Sequence, residues 1–138
     1  EFDQSVEVIS KKSREWDLAG IYGIPRGGLC LAVALSHKLN LEVLSEPKEN
    51  ILIVDDIYDS GKTLNSYNKY IGSKYFVLIS KTKPTWWHTV HILCKDQWIV
   101  FPWEDKDNYK YDKYQYKEKN KKWKRSLPSK SLCIFETK

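Results

Sequence analysis

Asp55, Asp56, Asp59, Ser60, Gly61, Lys62 and Thr63 fall in one short stretch, directly after the apolar run Ile51-Leu52-Ile53-Val54. Carboxylates accept hydrogen bonds from sugar hydroxyls and coordinate hard cations. A turn that opens a helix aims successive backbone N–H groups and the positive end of the helix dipole at one point, which suits a phosphate. Ser60 and Thr63 add hydroxyl donors, and Gly61 permits close approach of a phosphate and any positive φ the turn requires. The residue types therefore point to a sugar phosphate, with a diol or a bound Mg²⁺ at Asp55 and Asp56. A plain strand-to-helix turn with Asp59 or Ser60 as N-cap is the competing reading.

Other phosphate sites fit less well. Gly61-Lys62-Thr63 copies the end of a P-loop, but the leading glycine of that pattern would have to stand where Asp56 is. Gly20, Gly23, Gly27 and Gly28 do not have the spacing of a dinucleotide-binding fingerprint.

These residues need elements to hold them. Val6, Ile9 and Trp16 recur at roughly helical intervals, which predicts an amphipathic helix from about Asp3 to Trp16. Leu18 to Ile24 reads as a buried strand that stops at Pro25 and the pair Gly27-Gly28. Leu29 to Leu39 reads as a buried helix, with Asn40 as its C-terminal cap. Ile51 to Val54 is apolar without alternation, as in a central parallel strand, and a helix from about Lys62 to Tyr70, closed by Gly72, follows. Further strands are expected at Tyr75 to Ser80, His88 to Leu93 and Trp98 to Phe101, with Leu132 to Phe135 as a last edge strand. The alternation predicts an α/β fold: a doubly wound, mainly parallel sheet flanked by helices. Ligands of such sheets lie at the carboxyl ends of the strands, so the breaks after Ile24 and Val54 should face one crevice.

The 138 residues suffice for one core. With 41% hydrophobic and 30% charged residues, the chain is close to the globular average. A net charge of +5 attracts polyanions but does not separate nucleic acid from phosphorylated metabolites. No apolar run approaches the roughly 20 residues of a membrane span, and no signal segment is evident, so a cytoplasmic protein is expected. Cys30, Cys94 and Cys133 lack metal-type spacing and read as buried thiols.

The string from Ile51 through Asp55-Asp56-Ile57-Tyr58-Asp59-Ser60-Gly61-Lys62-Thr63 to Leu64 resembles the diphosphate-sugar signature of type I phosphoribosyltransferases. The resemblance implies that Asp55 and Asp56 hold the ribose hydroxyls and Mg²⁺, and that Asp59 to Thr63 grip the 5-phosphate. Gly23-Ile24-Pro25-Arg26-Gly27-Gly28-Leu29 is similar to the family's pyrophosphate loop, which implies diphosphate contacts from Arg26, Gly27 and Gly28. On its own it reads as a glycine-rich turn.

Trp98 to Glu104 resembles the base-binding segment of the xanthine-guanine and hypoxanthine type, with Trp98 as the stacking ring and the backbone of Ile99 reading the base edge. A core tryptophan is the bland alternative for Trp98. Lys81 and Lys83, two residues apart, are expected on the same side of the chain, where an ammonium would donate to the O6 of a 6-oxopurine. Lys83 leads and Lys81 is the reserve; the other is a solvated surface lysine. The implied reaction moves phosphoribosyl from phosphoribosyl diphosphate to a 6-oxopurine, with Asp59 managing the purine proton and Arg26 stabilising the leaving pyrophosphate. A homodimer is what the family implies.

Residues 43–50 leave little room for the mobile lid that family members carry between the second and third strands. After Glu104 the composition turns to Lys, Asp and Tyr, which suggests a core of residues 1–104 with a basic extension over 105–138. That extension supports a rival reading: a non-catalytic relative that senses a nucleotide or diphosphate sugar and binds nucleic acid through Lys and Tyr. A solvated surface excursion is the plainer account of it, and an enzyme using another acceptor base is a third reading.

Overall fold

The computed structural model describes residues 2–94, 99–101, 103 and 132–133. The chain divides into a unit of Asp3–Leu93 and a second unit to which Phe2 and the residues from Cys94 onward belong. The expected boundary after Glu104 lies outside the described residues.

In the first unit, β1 (Ile21–Gly23), β2 (Leu52–Tyr58), β3 (Lys74–Ser80) and β4 (His88–Ile92) form a parallel sheet in the order β1-β2-β3-β4. A single parallel bridge from Ile21 to Val43 continues it beyond β1. α2 (Gly27–Leu39) thus leads from β1 outward to Val43, whereas α3 (Lys62–Ser66) leads from β2 the other way to β3. Right-handed crossovers running in opposite directions put their helices on opposite faces. Ala32 of α2 lies on the Gly23 side of the sheet, while Leu64 of α3 packs with Tyr22, Ile53 and Val77 on the other. The doubly wound expectation holds, and the direction reverses between β1 and β2, the point at which such sheets bind ligands.

α1 (Phe2–Ser13) buries Val6 and Ile9 and is joined to α2 by the Glu7–Lys38 ion pair at 3.0 Å. Trp16, one turn beyond it, meets Phe76 and His88. Asn40 caps α2 in the left-handed region, its N–H donating to Ser36 O. Ile51, Leu52, Ile53 and Val54 are all buried, as a central strand covered on both faces requires.

Several expectations are corrected. α2 is not buried all round: Leu31, Ala32 and Leu35 are buried, but Leu29 and Val33 are 45% and 51% exposed, because the helix covers one sheet face and its outer side meets solvent. Cys30 shares that outer side, and Cys94 is also exposed, so neither is a buried thiol. α3 ends at Ser66 rather than near Tyr70, and turns carry the chain to Gly72 at φ 75°. β5 (Ile99–Val100) and β6 (Leu132–Cys133) pair with each other as a two-stranded parallel sheet in the second unit, rather than extending the main sheet. In that unit Trp103 stacks on Phe101 and meets Phe2 edge-on. Among the described residues, no helix is long and apolar enough to cross a membrane.

Candidate active site

Two loops leave the sheet where its direction reverses, and their own backbones bring them together. Ile24 N–H donates to Val54 O at 2.9 Å, which carries the β1–β2 ladder one residue past the strand. Gly28 N–H then donates back to Ile24 O at 2.8 Å, turning the chain into α2. A methyl group on Gly28 would strike Val54 O, so glycine is what lets α2 start this close to β2. The committed N–H and the buried position make Gly28 a packing residue rather than an open amide. At Gly27 a Cβ would fall on the Asp56 carboxylate: the first loop is closed against the acidic pair of the second. The Pro25–Arg26 peptide is cis, and Arg26 stands exposed beside it.

The cleft so formed has a volume of about 250 Å³ and is lined by Pro25 and Gly27 from one loop and by Asp55, Asp56, Asp59, Ser60 and Thr63 among others from the second. β2 continues through the acidic pair to Tyr58 and does not stop at Val54. This extension holds Asp55 and Asp56 on a rigid strand. Asp55 Oδ1 accepts from Asp56 N–H at 2.9 Å and Asp56 Oδ1 accepts from Ile57 N–H at 2.8 Å, which orients both carboxyl groups. Burial, and secondarily the neighbouring Asp56, push the Asp55 carboxyl up to about 8; burial also raises Asp56. Two crowded carboxyl groups of this kind gain from a cation that neutralises them. Among the described residues, no three His, Cys, Asp or Glu side chains gather as a complete metal nest. Two hard oxygen donors suit Mg²⁺, which takes few protein ligands and fills the rest of its octahedron with water and substrate phosphate.

The turn that opens α3 is built on Gly61, which sits at φ 83° as the N-cap with no side-chain cap. The place expected for Asp59 or Ser60 is therefore taken by glycine, because the turn needs the left-handed conformation. Ser60 Oγ accepts from Lys62 N–H at 3.4 Å, while Asp59, Ser60, Lys62 and Thr63 are exposed around the turn.

The lysines separate. β3 ends at Ser80, so alternation does not carry on to place Lys81 and Lys83 alike. Lys81 N–H donates to Tyr58 O at 2.9 Å, its side chain is buried, and its ammonium stands 3.7 Å from Asp59 Oδ2. Lys83 is exposed. Sequence reasoning did not find the partner of Tyr58: its ring stacks on Trp87 with centroids 3.9 Å apart and planes 13° apart. The adjacent Trp86-Trp87 pair was the available signal, but nothing in its spacing names Tyr58 as the contact.

Ile99 is buried in β5 of the second unit. Trp98 and the basic extension, apart from Leu132 and Cys133 in β6, lie outside the described residues. The interval over residues 43–50 is short and tied down: Ser73 Oγ donates to Lys48 O at 3.0 Å, and Asn50 N–H donates to Ile71 O at 3.1 Å. Both anchors lie ahead of β3, at the opposite end of the sheet from the cleft.

No protein-family model matches the chain. A xanthine-guanine phosphoribosyltransferase of Idiomarina loihiensis is 28% identical over 114 residues, which cover 62% of this chain and 70% of that one. Among solved structures, the purine phosphoribosyltransferase of Pyrococcus horikoshii superposes with a TM-score of 0.64 at 28% identity, covering 75% of this chain and 89% of its own. A xanthine-guanine-hypoxanthine phosphoribosyltransferase of Helicobacter pylori gives 0.63 over 80% of this chain and 92% of its own; at 22% identity it speaks to the fold.

Proposed function

We propose that this chain, a member of the type I phosphoribosyltransferase family, transfers the 5-phosphoribosyl group of phosphoribosyl diphosphate to a 6-oxopurine, releasing pyrophosphate and forming a nucleoside 5'-monophosphate. One observation supports the reading: Gly27 closes on the Asp56 carboxylate, and Pro25 and Gly27, the acidic pair and the turn of Asp59, Ser60, Gly61 and Thr63 line a single cleft. A ligand with phosphate at both ends of a sugar diol matches that order of groups.

In this reading Asp59 to Thr63 receive the 5-phosphate, at an anion site made of the turn's N–H groups and the hydroxyls of Ser60 and Thr63. Asp55 and Asp56 face the ribose hydroxyls and would hold Mg²⁺, which when bound neutralises charge on the diphosphate. Arg26 and the Gly27 turn face the leaving pyrophosphate. A ring nitrogen of the base bonds to C1 as the bond from C1 to the diphosphate oxygen breaks, and Asp59 takes the proton the nitrogen sheds. Lys81 is assigned to the purine O6 in preference to Lys83, because it is buried beside Asp59 whereas Lys83 is in solvent. A donor at that place favours guanine, xanthine or hypoxanthine over adenine, whose exocyclic amine is itself a donor. Trp98 as a stacking ring with Ile99 at the base edge, a homodimer and a cytoplasmic setting belong to the same proposal.

The test is pyrophosphate release from phosphoribosyl diphosphate and Mg²⁺ with guanine, xanthine, hypoxanthine and adenine in turn. The intact protein is compared with the double variant Asp55→Asn/Asp56→Asn. Release that depends on a 6-oxopurine and disappears in the double variant is expected. Binding of the diphosphate sugar without release to any of the four bases would sink the reading.

A further inference from the structure

We propose that Tyr58 is a positioning residue: clamped on Trp87, its ring holds the Gly61 turn in the shape that receives a phosphate and couples that turn to the segment bearing Lys81. The inference rests on the proposed phosphoribosyl reading and adds to it a pair of side chains that touch no reacting atom.

Three contacts carry it. First, the ring of Tyr58 lies directly against Gly61, since a Cβ on that glycine would meet the phenol oxygen and Cζ. Gly61 is the left-handed residue that opens α3, so the ring braces the corner on which the turn pivots. Second, the other contact surface of the ring is the near-parallel stack on Trp87. Trp87 is only 5% exposed, and its indole N–H donates to Ser80 Oγ at 3.4 Å, so it is a fixed wall. Third, Tyr58 O accepts from Lys81 N–H, which ties the same residue to the start of the connection that ends at Trp87. Tyr58, between Ile57 and Asp59, is half-buried and packs against the core cluster that contains Trp87. Its place between the turn and the wall is what the arrangement explains.

A stacked aromatic pair contributes enough to shift an equilibrium by up to about tenfold. Loss of the clamp frees the turn, so the free-energy cost of ordering it falls on ligand binding. The experiment is calorimetric titration of phosphoribosyl diphosphate with Mg²⁺ and no base, on the full chain and on Tyr58→Phe, Tyr58→Leu, Trp87→Leu and Tyr58→Leu/Trp87→Leu. Kd should rise less in Tyr58→Phe than in Tyr58→Leu, because phenylalanine keeps the stacked ring and Cζ and loses only the phenol oxygen at Gly61. It should rise roughly tenfold in Tyr58→Leu and in Trp87→Leu, and no further in the double variant, because the two rings act as one device. With 6-oxopurine present, KM for the diphosphate sugar should rise in step while kcat changes less.

An unchanged Kd in Tyr58→Leu, or additive losses in the double variant, would overturn the clamp. If Trp87→Leu fails to fold, the comparison of Tyr58→Leu with Tyr58→Phe decides alone. Binding by the unaltered chain without transfer would remove the enzymatic reading and leave the clamp standing on the Kd values. Absence of binding by the unaltered chain would remove both.

Discussion

The ammonium of Lys81 lies 3.7 Å from a carboxylate oxygen of Asp59, with the lysine side chain 3% exposed and the aspartate side chain 43% exposed. One end of the pair is therefore held by the protein while the other opens to the cleft. A buried ammonium of this kind is held in place by its charged partner, since removing that partner would leave an uncompensated buried charge.

Lys81→Met should lower kcat/KM for a 6-oxopurine by about 10- to 100-fold, the range expected on losing a hydrogen bond to a charged group. Lys83→Ala should change it less than about threefold, since even the ion pairs of an exposed lysine contribute little. Steady-state kinetics with guanine and hypoxanthine separates the two. Equal losses in both variants would undo the assignment of Lys81.

The acidic pair should set a pH dependence of stability. The folded-state pKa of Asp55 is raised, to about 8, so between about pH 4 and pH 8 the native chain holds a proton that the unfolded chain has released. Stability therefore falls as pH rises through that window. Asp55→Asn removes the proton dependence, so its melting temperature should gain on that of the unaltered protein as pH goes from 5 to 8. The difference grows by at most about 1.4 kcal/mol per pH unit. Thermal unfolding followed by circular dichroism at several pH values checks this; a constant difference would mean that Asp55 is ionised throughout.

Gly27 and Gly28 should fail in different ways when changed to alanine. At Gly28 the added methyl meets the backbone oxygen of Val54, which cannot swing aside, so a loss of about 1–3 kcal/mol in stability is expected. At Gly27 it meets a side-chain carboxylate that can rotate, so the chain should fold with Asp56 displaced and binding of the diphosphate sugar weakened. Denaturant midpoints measured beside ligand titrations distinguish the outcomes.

Mg²⁺ and phosphoribosyl diphosphate together should raise the melting temperature, because a ligand at about 100 times its Kd stabilises the native state by about 2.7 kcal/mol. Chelation with EDTA should remove most of the rise, and Asp55→Asn/Asp56→Asn should abolish it. A full rise in EDTA would show that the diphosphate sugar binds without help from a metal at the acidic pair.

Much of this protein was legible in its residues. Ile51 to Val54 announced a central parallel strand because only a strand covered on both faces tolerates an unbroken apolar run, and the structure buries all four. The acidic pair and the Asp59 to Thr63 turn were legible for a similar reason: carboxylates, hydroxyls and a glycine at the mouth of a helix are local chemistry, written in consecutive positions. Asn40 closed its helix where expected because left-handed caps are also set by nearest neighbours.

What depended on three dimensions was every pairing between distant segments. The different settings of Lys81 and Lys83 turn on the end of β3 at Ser80, which breaks the two-residue alternation and leaves one lysine buried and the other exposed. The outer face of α2 depended on how many layers cover that side of the sheet, a quantity absent from the helix's own apolar content. The contacts of Gly27 with Asp56 and of Tyr58 with Trp87 join residues 29 positions apart in each case, brought together by strand order and crossover direction. Sequence spacing determines which groups a loop carries. Tertiary packing determines which of them meet, because that depends on the position and covering of the strands rather than on the order of residues along them.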